Sequence, residues 1–252
     1  MSRSRLEIQI ATFKLLREYG HPHPGKISLE NLAMDRKAVV VEGSMEGVEG
    51  RLLTKGDSGI IRVSDSIQSP GRRRFTIAHE LGHWELHRGK KQFLCTKQDL
   101  VDYSNSPLEV EANIFASLLL MPASHFRGQC RDSDDPSLTK ISGLAEEFRT
   151  SLTATAVRYA EESKKPIVIV LSENGTVRWS YSDKKKNLPF VVAGKMVPQD
   201  SSAGLSEYSE EVEHFEEADW FSELTYKPRE VMEQSVSLGR YPYILTLLWL
   251  PE

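Results

Sequence analysis

The segment Arg74-Phe-Thr-Ile-Ala-His79-Glu80-Leu-Gly-His83-Trp-Glu-Leu-His87 sets H-E-x-x-H inside the apolar spacing of a helix. Residues four apart on an α-helix lie about 40° from each other and one turn along the axis, so the imidazoles of His79 and His83 can converge on one cation. Glu80 sits about 100° round from His79. That puts a carboxylate beside the cation's open position without making it a ligand, which is where metal-assisted peptide hydrolysis needs its general base. The chemistry these residue types suggest is that of a zinc-dependent hydrolase.

His87 is also four residues from its predecessor, His83. The carboxylate between them, Glu85, falls on the opposite face from His83, so that pair lacks a base. His87 lies about 12 Å along the axis from His79, so one ion cannot take all three imidazoles. It reads as a helix-end residue, with a supporting role behind the ligands as the alternative.

Two histidines on an amphipathic helix can simply be buried and hydrogen-bonded, and the context argues against that here. Phe75, Ile77, Ala78, Leu81 and Leu86 supply apolar surface around them, and Ser69-Pro70 reads as an N-cap followed by proline at the first helical position. Gly82 points the same way: mid-helix glycine costs about 1 kcal/mol against alanine, and is expected where another backbone passes close.

A catalytic zinc needs three protein ligands and one open position. The third is expected from a second helix, Pro107-Leu-Glu109-Val-Glu111-Ala-Asn-Ile-Phe-Ala-Ser-Leu-Leu-Leu-Met-Pro122, which starts at a proline and stops at Met121-Pro122. Two glutamates compete. Glu109 shares a stripe with Ala112, Asn113, Ala116 and Leu120, a small-residue face suited to close packing, whereas Glu111 lies about 200° away, nearer Phe115 and Leu118. The stripe favours Glu109 and leaves Glu111 open.

Taken together, Arg74-Phe-Thr-Ile-Ala-His-Glu-Leu-Gly-His, then Glu109-x-x-Ala-Asn-x-Phe-Ala and Leu-Leu-Met-Pro, resemble the ImmA/IrrE metallopeptidases. The resemblance runs from about Ile60 to Pro122 and extends more weakly to about Tyr159. It implies metal ligands His79, His83 and Glu109, with Glu80 as catalytic base; the family's glutamate stands three residues before the Ala-Asn pair, which selects Glu109 over Glu111. It also implies a site-specific endopeptidase acting inside a bacterial cell on a helix-turn-helix repressor, with derepression of genes as the outcome. The implied cofactor is Zn2+, with Mn2+ as a cellular alternative.

The rest of the chain sets bounds. At 252 residues, 39% hydrophobic and 27% charged, it has the composition of a globular protein with a sizeable core. A net charge of -4 argues against a protein whose main task is coating nucleic acid. No apolar run approaches the roughly 20 residues of a membrane span, and Met-Ser-Arg-Ser-Arg leads into a charged amphipathic stretch, so a cytoplasmic location is expected. Cys95 and Cys130 then read as reduced thiols.

Along the chain, Arg5 to Tyr19 reads as a helix burying Leu6, Ile10, Phe13 and Leu15 or Leu16. His21 and His23, among prolines, read as an exposed loop. A short helix over 27 to 34 precedes strands at Ala38 to Glu42, Gly50 to Lys55 and Gly59 to Ser64; the last, leading into the histidine helix, is the candidate edge for an extended substrate. Arg72, Arg73 and Arg74 read as solvated helix surface, with one arginine paired to a nearby carboxylate or holding substrate as the alternative. Leu138 to Arg149 and Leu152 to Glu162 form two helices with a link as short as that of a helix-turn-helix, but few clustered basic residues, so packing against the catalytic core is expected over DNA binding. From Pro166, Ile167 to Leu171 and Thr176 to Tyr181 flank a Ser172-Glu-Asn-Gly175 turn, Lys184 to Lys186 read as a solvated turn, an acidic stretch from Glu207 to Asp219 precedes Trp220-Phe, and Tyr241 to Leu250 reads as a terminal strand.

The expected fold is α+β: a small zincin-like sheet with the H-E-x-x-H helix and packed helices over 1–125, a helix-turn-helix-like segment over 126–165, and a β-rich domain over 166–252 that recognises a partner or shields the site. Asn113 or Glu111 is expected to orient the imidazoles; the sequence names no oxyanion donor, and Tyr103 and Tyr159 are candidates whose alternative reading is structural. The rival readings are a catalytically inactive metal-binding regulatory module and a DNA-binding regulator.

Overall fold

The computed structural model describes residues 2–20, 23–88, 92–96, 106–130, 135–183, 188, 191–205, 212–221, 230–239 and 242–251, with the backbone only at 92–96, 204–205 and 217–218. The fold is α+β and divides into two compact units, Met1–His125 with Ala145–Ser151, and Phe126–Leu144 with Leu152–Glu252. No helix among the described residues is long and apolar enough to cross a membrane.

In the first unit, α1 (Arg5–Glu18) starts in a reciprocal cap: the Ser4 side chain accepts from the Glu7 N–H while the Glu7 carboxylate accepts from the Ser4 N–H. Its buried side corrects the sequence expectation. Ile8, Thr12, Leu15 and Leu16 are inside, whereas Leu6, Ile10 and Phe13 are 64%, 46% and 52% exposed. The helix carries two apolar stripes, and the one chosen contains a threonine whose hydroxyl donates to the Ile8 carbonyl, satisfying it internally. α1 packs on α4 (Pro107–Leu120).

After α2 (Leu29–Asp35), strands β1 (Ala38–Gly43), β2 (Val48–Lys55), β3 (Ser58–Ser64) and β4 (Gln92–Thr96) form a sheet in the order β1-β3-β2-β4. β3 is parallel to β1 and antiparallel to β2, with Ile61 beside Val40 and Leu52. It is therefore an interior strand with both rows of backbone groups already paired, and cannot receive an extended substrate; the edges are β1 and β4.

α3 (Pro70–Leu86) lies against β2 and β3. Gly59 of β3 faces the Trp84 ring, where a Cβ would come within 3.2 Å of it. The Trp84 indole N–H donates to the Arg36 carbonyl at 2.8 Å, and Arg36 gives two N–H groups to Glu85, each at 3.0 Å. The arginine run is not solvated surface, and the alternative of carboxylate pairing holds for two of the three. Arg72 pairs with Glu49 at 2.7 Å, Arg73 with Glu30 at 2.7 Å, and Arg74 is buried with its guanidinium on the carbonyls of Ile27 and Pro24. The first turns of α3 face residues 24–49, which supply carboxylates and helix-end carbonyls for all three. His23 likewise leaves the expected exposed loop: half-buried, it packs its ring 5.1 Å from that of Phe148 and sets Nε2 3.2 Å from Glu147. His21 lies outside the described residues.

In the second unit, β5 (Ile167–Glu173), β6 (Thr176–Ser182), β7 (Glu213–Glu216), β8 (Glu230–Ser237) and β9 (Tyr243–Trp249) form an antiparallel sheet in the order β6-β5-β9-β8-β7. The β5–β6 turn is carried by Asn174 and Gly175, both at positive φ (50° and 72°), the pairing that two-residue hairpins favour. Val168, Val170, Trp220, Phe221, Val231 and Leu248 belong to one buried cluster on this sheet. Of the paired helices α5 (Leu138–Phe148) and α6 (Leu152–Glu162), α6 packs on β5 and β6, while Ala145–Ser151, the end of α5 and the link, groups with the first unit. Arg158, in α6, is buried and paired with Glu161 and Glu162. Lys184 to Lys186 and Glu207 to Glu211 lie outside the described residues.

Candidate metal centre

α3 is nucleated at Ser69, whose side chain accepts from the Arg72 N–H, with Pro70 at the first position and His87 as C-cap. This registers His79, Glu80 and His83 on the helix's buried side, each with no exposed surface. α4 crosses against α3 closely enough that a Cβ on Gly82 would lie 3.1 Å from Phe115 Cδ1 and 3.3 Å from Ala112 Cα. Glycine at 82 is thus a close-approach residue, and the approach delivers Glu109, in the first turn of α4, to the two imidazoles.

His79 Nε2 and His83 Nε2 are 3.0 Å apart, and Glu109 Oε2 lies 3.0 Å from the first and 3.3 Å from the second. Bonds of about 2.0–2.1 Å to a tetrahedral ion place its donors about 3.3 Å from one another. The three atoms therefore fit one cation, and the cluster could hold a metal ion. Their charge states suit it. Burial pushes the His83 imidazole down to about 4, so at neutral pH it offers a lone pair. Burial pushes Glu109 up, but hydrogen bonds from His79 and His83 outweigh it and hold the carboxyl far below its usual range; the amino end of α4 favours the same anion. Glu109 keeps 12% of its side chain exposed while the histidines keep none, so the cluster opens on the Glu109 side.

Glu80 is placed by an absence of side chain across from it. A Cβ on Gly50 of β2 would fall 2.5 Å from Glu80 Oε1 and 2.7 Å from Thr76 Cγ2. Only glycine leaves the carboxylate where it stands. The sequence offered Gly50 as the start of a strand and nothing more.

Behind the donors, Asn113 Oδ1 lies 2.9 Å from His79 Nδ1, as expected of an orienting residue. Glu111, the competing ligand candidate, is turned away from the cluster and meets His87 Nε2 at 3.0 Å, while His87 Nδ1 lies 3.0 Å from His83 Nδ1. His87 is therefore more than a helix-end residue. It takes the alternative role, behind the ligands, and its four-residue spacing from His83 is the signal that places it in contact with one. Of the oxyanion candidates, Tyr159 is buried in α6 with Lys140 Nζ 5.9 Å from its ring centre, and Tyr103 lies outside the described residues. Cys130 is a buried thiol facing the Phe126 carbonyl; the Cys95 side chain lies outside the described residues.

A helix bearing H-E-x-x-H against a mixed sheet, with a glutamate from the next helix completing the donor set, defines a metallopeptidase-type fold. The family model of the IrrE N-terminal-like domain, peptidase M78, matches residues 33–159, and the chain belongs to that family. No curated protein matches the chain in sequence. Among solved structures, one described as a Mycobacterium tuberculosis transcriptional regulator is similar at a TM-score of 0.60 and 17% identity, over 97% of this chain and 88% of that one. At that identity the likeness is one of fold.

Proposed function

We propose that this chain is a zinc-dependent endopeptidase of the cytoplasm that cuts a helix-turn-helix repressor at a specific site and so derepresses genes. The observation that carries the reading is the convergence of His79, His83 and Glu109 within 3.3 Å, with the buried Glu80 following His79 directly on the same helix. Zinc held by those three residues would supply a Lewis acid that polarises a peptide carbonyl and brings the pKa of water towards about 7. Manganese is the cellular alternative. Glu80 takes the proton of the attacking water on its carboxylate and returns it to the leaving amine, the role its position in H-E-x-x-H suits. Asn113 holds His79 by its Nδ1, leaving Nε2 for the metal. The repressor substrate rests on family membership, and the solved relative described as a transcriptional regulator is compatible with it.

Glu80→Gln tests this reading. It keeps size and leaves the donor set intact, so metal content should stay at the wild-type level while cleavage of a co-expressed repressor falls by about 10²–10⁴-fold. A wild-type, metal-loaded and folded protein that leaves its helix-turn-helix partners whole would instead favour a regulatory metal-binding module.

A further inference from the structure

Glu111 is a glutamate almost fully buried, at 2% exposure, and its hydrogen bonds run in two directions. Inward, its Oε2 lies 3.0 Å from His87 Nε2, and the other ring nitrogen of His87 lies 3.0 Å from His83 Nδ1. Outward, its Oε1 accepts from the Ser2 hydroxyl at 2.9 Å and the Arg3 backbone N–H at 2.7 Å, and its Oε2 accepts from the Arg3 guanidinium at 3.3 Å. Protons can be assigned along this chain in only one way if His83 ligates through Nε2. His83 must then carry its proton on Nδ1 and donate it to His87 Nδ1. His87 must in turn carry its proton on Nε2 and donate it to Glu111, whose acceptor-only carboxylate ends the series. Each link dictates the next, and the outermost is fixed by residues 2 and 3.

We propose that Glu111 and His87 are positioning residues that lock His83 in its metal-ligating tautomer, and that docking of the Ser2–Arg3 segment on Glu111 sets how tightly the metal is held. The proposal rests on the metal-site reading above and adds a regulated element to it. Any event that draws the N-terminal segment off Glu111 weakens the metal site from a distance. Ser2 and Arg3 meet Glu111, which is not one of the three donors, and this separates their effect from direct ligation. A carboxylate behind a ligating histidine orients the ring and raises its basicity, and losing such a partner costs about 10–100-fold in metal affinity.

The test is zinc affinity of the full chain, measured by competition with a chromophoric chelator, for the wild type, Glu111→Gln, His87→Phe and the double variant Ser2→Ala/Arg3→Pro, which removes the hydroxyl, the guanidinium and the backbone N–H that Glu111 accepts from, with His79→Ala as the ligand control. Melting by circular dichroism reports folding, and 15N NMR of the histidine rings reports the His83 tautomer. Affinity should fall by about 10–100-fold in Glu111→Gln and His87→Phe. It should fall by a smaller factor, still several-fold, in the double variant, with the Nδ1 proton of His83 visible in the wild type and lost to exchange in His87→Phe. Should Glu111→Gln fail to fold, the double variant at the surface decides. Zinc bound by the wild type and lost in His79→Ala, but held equally tightly by the double variant and by whichever relay variants fold, would overturn the relay and leave the metal site standing. A wild type that binds no zinc would remove both.

Discussion

Gly50 has no chemistry of its own, yet substituting it should disable the proposed catalysis. In Gly50→Ala the new methyl carbon would sit 2.5 Å from Glu80 Oε1 and 2.7 Å from Thr76 Cγ2. Ordinary contact begins near 3.4 Å, so the carboxylate has to retreat by about 1 Å, and Thr76 on the same helix blocks the methyl from sharing the shift. A displacement of about 1 Å in a reacting group costs on the order of 10²-fold in rate. The methyl reaches none of His79, His83 or Glu109 among its nearest neighbours, so metal binding should survive. The assay is hydrolysis of the proposed repressor substrate, followed on a gel and quantified as kcat/KM, beside metal content by elemental analysis. The expected result is a protein with wild-type metal and roughly 1% of wild-type cleavage. A variant that retained both metal and full cleavage would refute the placement of Glu80 as base, because the base could not have been where Gly50 permits it to be.

Gly82→Ala should gain about 1 kcal/mol in helix propensity but lose about 1–3 kcal/mol to overpacking against Phe115 and Ala112, a net fall in melting temperature readable by calorimetry. In the second unit, Glu233 accepts from Ser201, Ser235 and the Trp220 indole N–H, and burial raises its pKa above the ordinary value of 4.5. A folded pKa above the unfolded one gives stability that is fully present below about 4.5 and is lost as pH rises through the folded value. As pH rises from 4 to 7 the wild type should therefore lose stability relative to Glu233→Gln, which mimics the neutral acid, and urea melts of the two should diverge most at the neutral end; parallel curves would show that Glu233 does not titrate with unfolding. Removing metal with a chelator should abolish cleavage, and zinc restored at about 1,000 times its Kd should return about 4 kcal/mol of stability, seen as a rise in melting temperature.

The site was far more legible in the sequence than its surroundings. H-E-x-x-H fixes three residues on one helix by spacing alone, and Ser69-Pro70 and Gly82 announce the helix start and the crossing of a neighbour. Glu109 needed the pattern of a second segment, because its stripe was shared with small residues that any helix crossing uses. Strand order was not readable. β1, β2 and β3 follow one another in the chain, yet β3 inserts between the other two, and alternation along a strand says which face is buried but not which strand is beside it. α1 has apolar residues on both sides, so periodicity could not choose between Leu6–Ile10–Phe13 and Ile8–Leu15. β8 went unnoticed because Glu233 and Ser235 are buried inside it, hydrogen-bonded to each other, where alternation would call for apolar residues. Gly50 carried no signal at all, since its meaning lies in a carboxylate thirty positions away in the chain.

The most direct test of the central claim is metal per chain, by elemental analysis of purified wild type, His79→Ala and Glu109→Ala. About one zinc per wild-type chain, lost in both variants, is the expected result for three donors on one ion. A wild type that remains metal-free after zinc and manganese are added back, while folded, would contradict it.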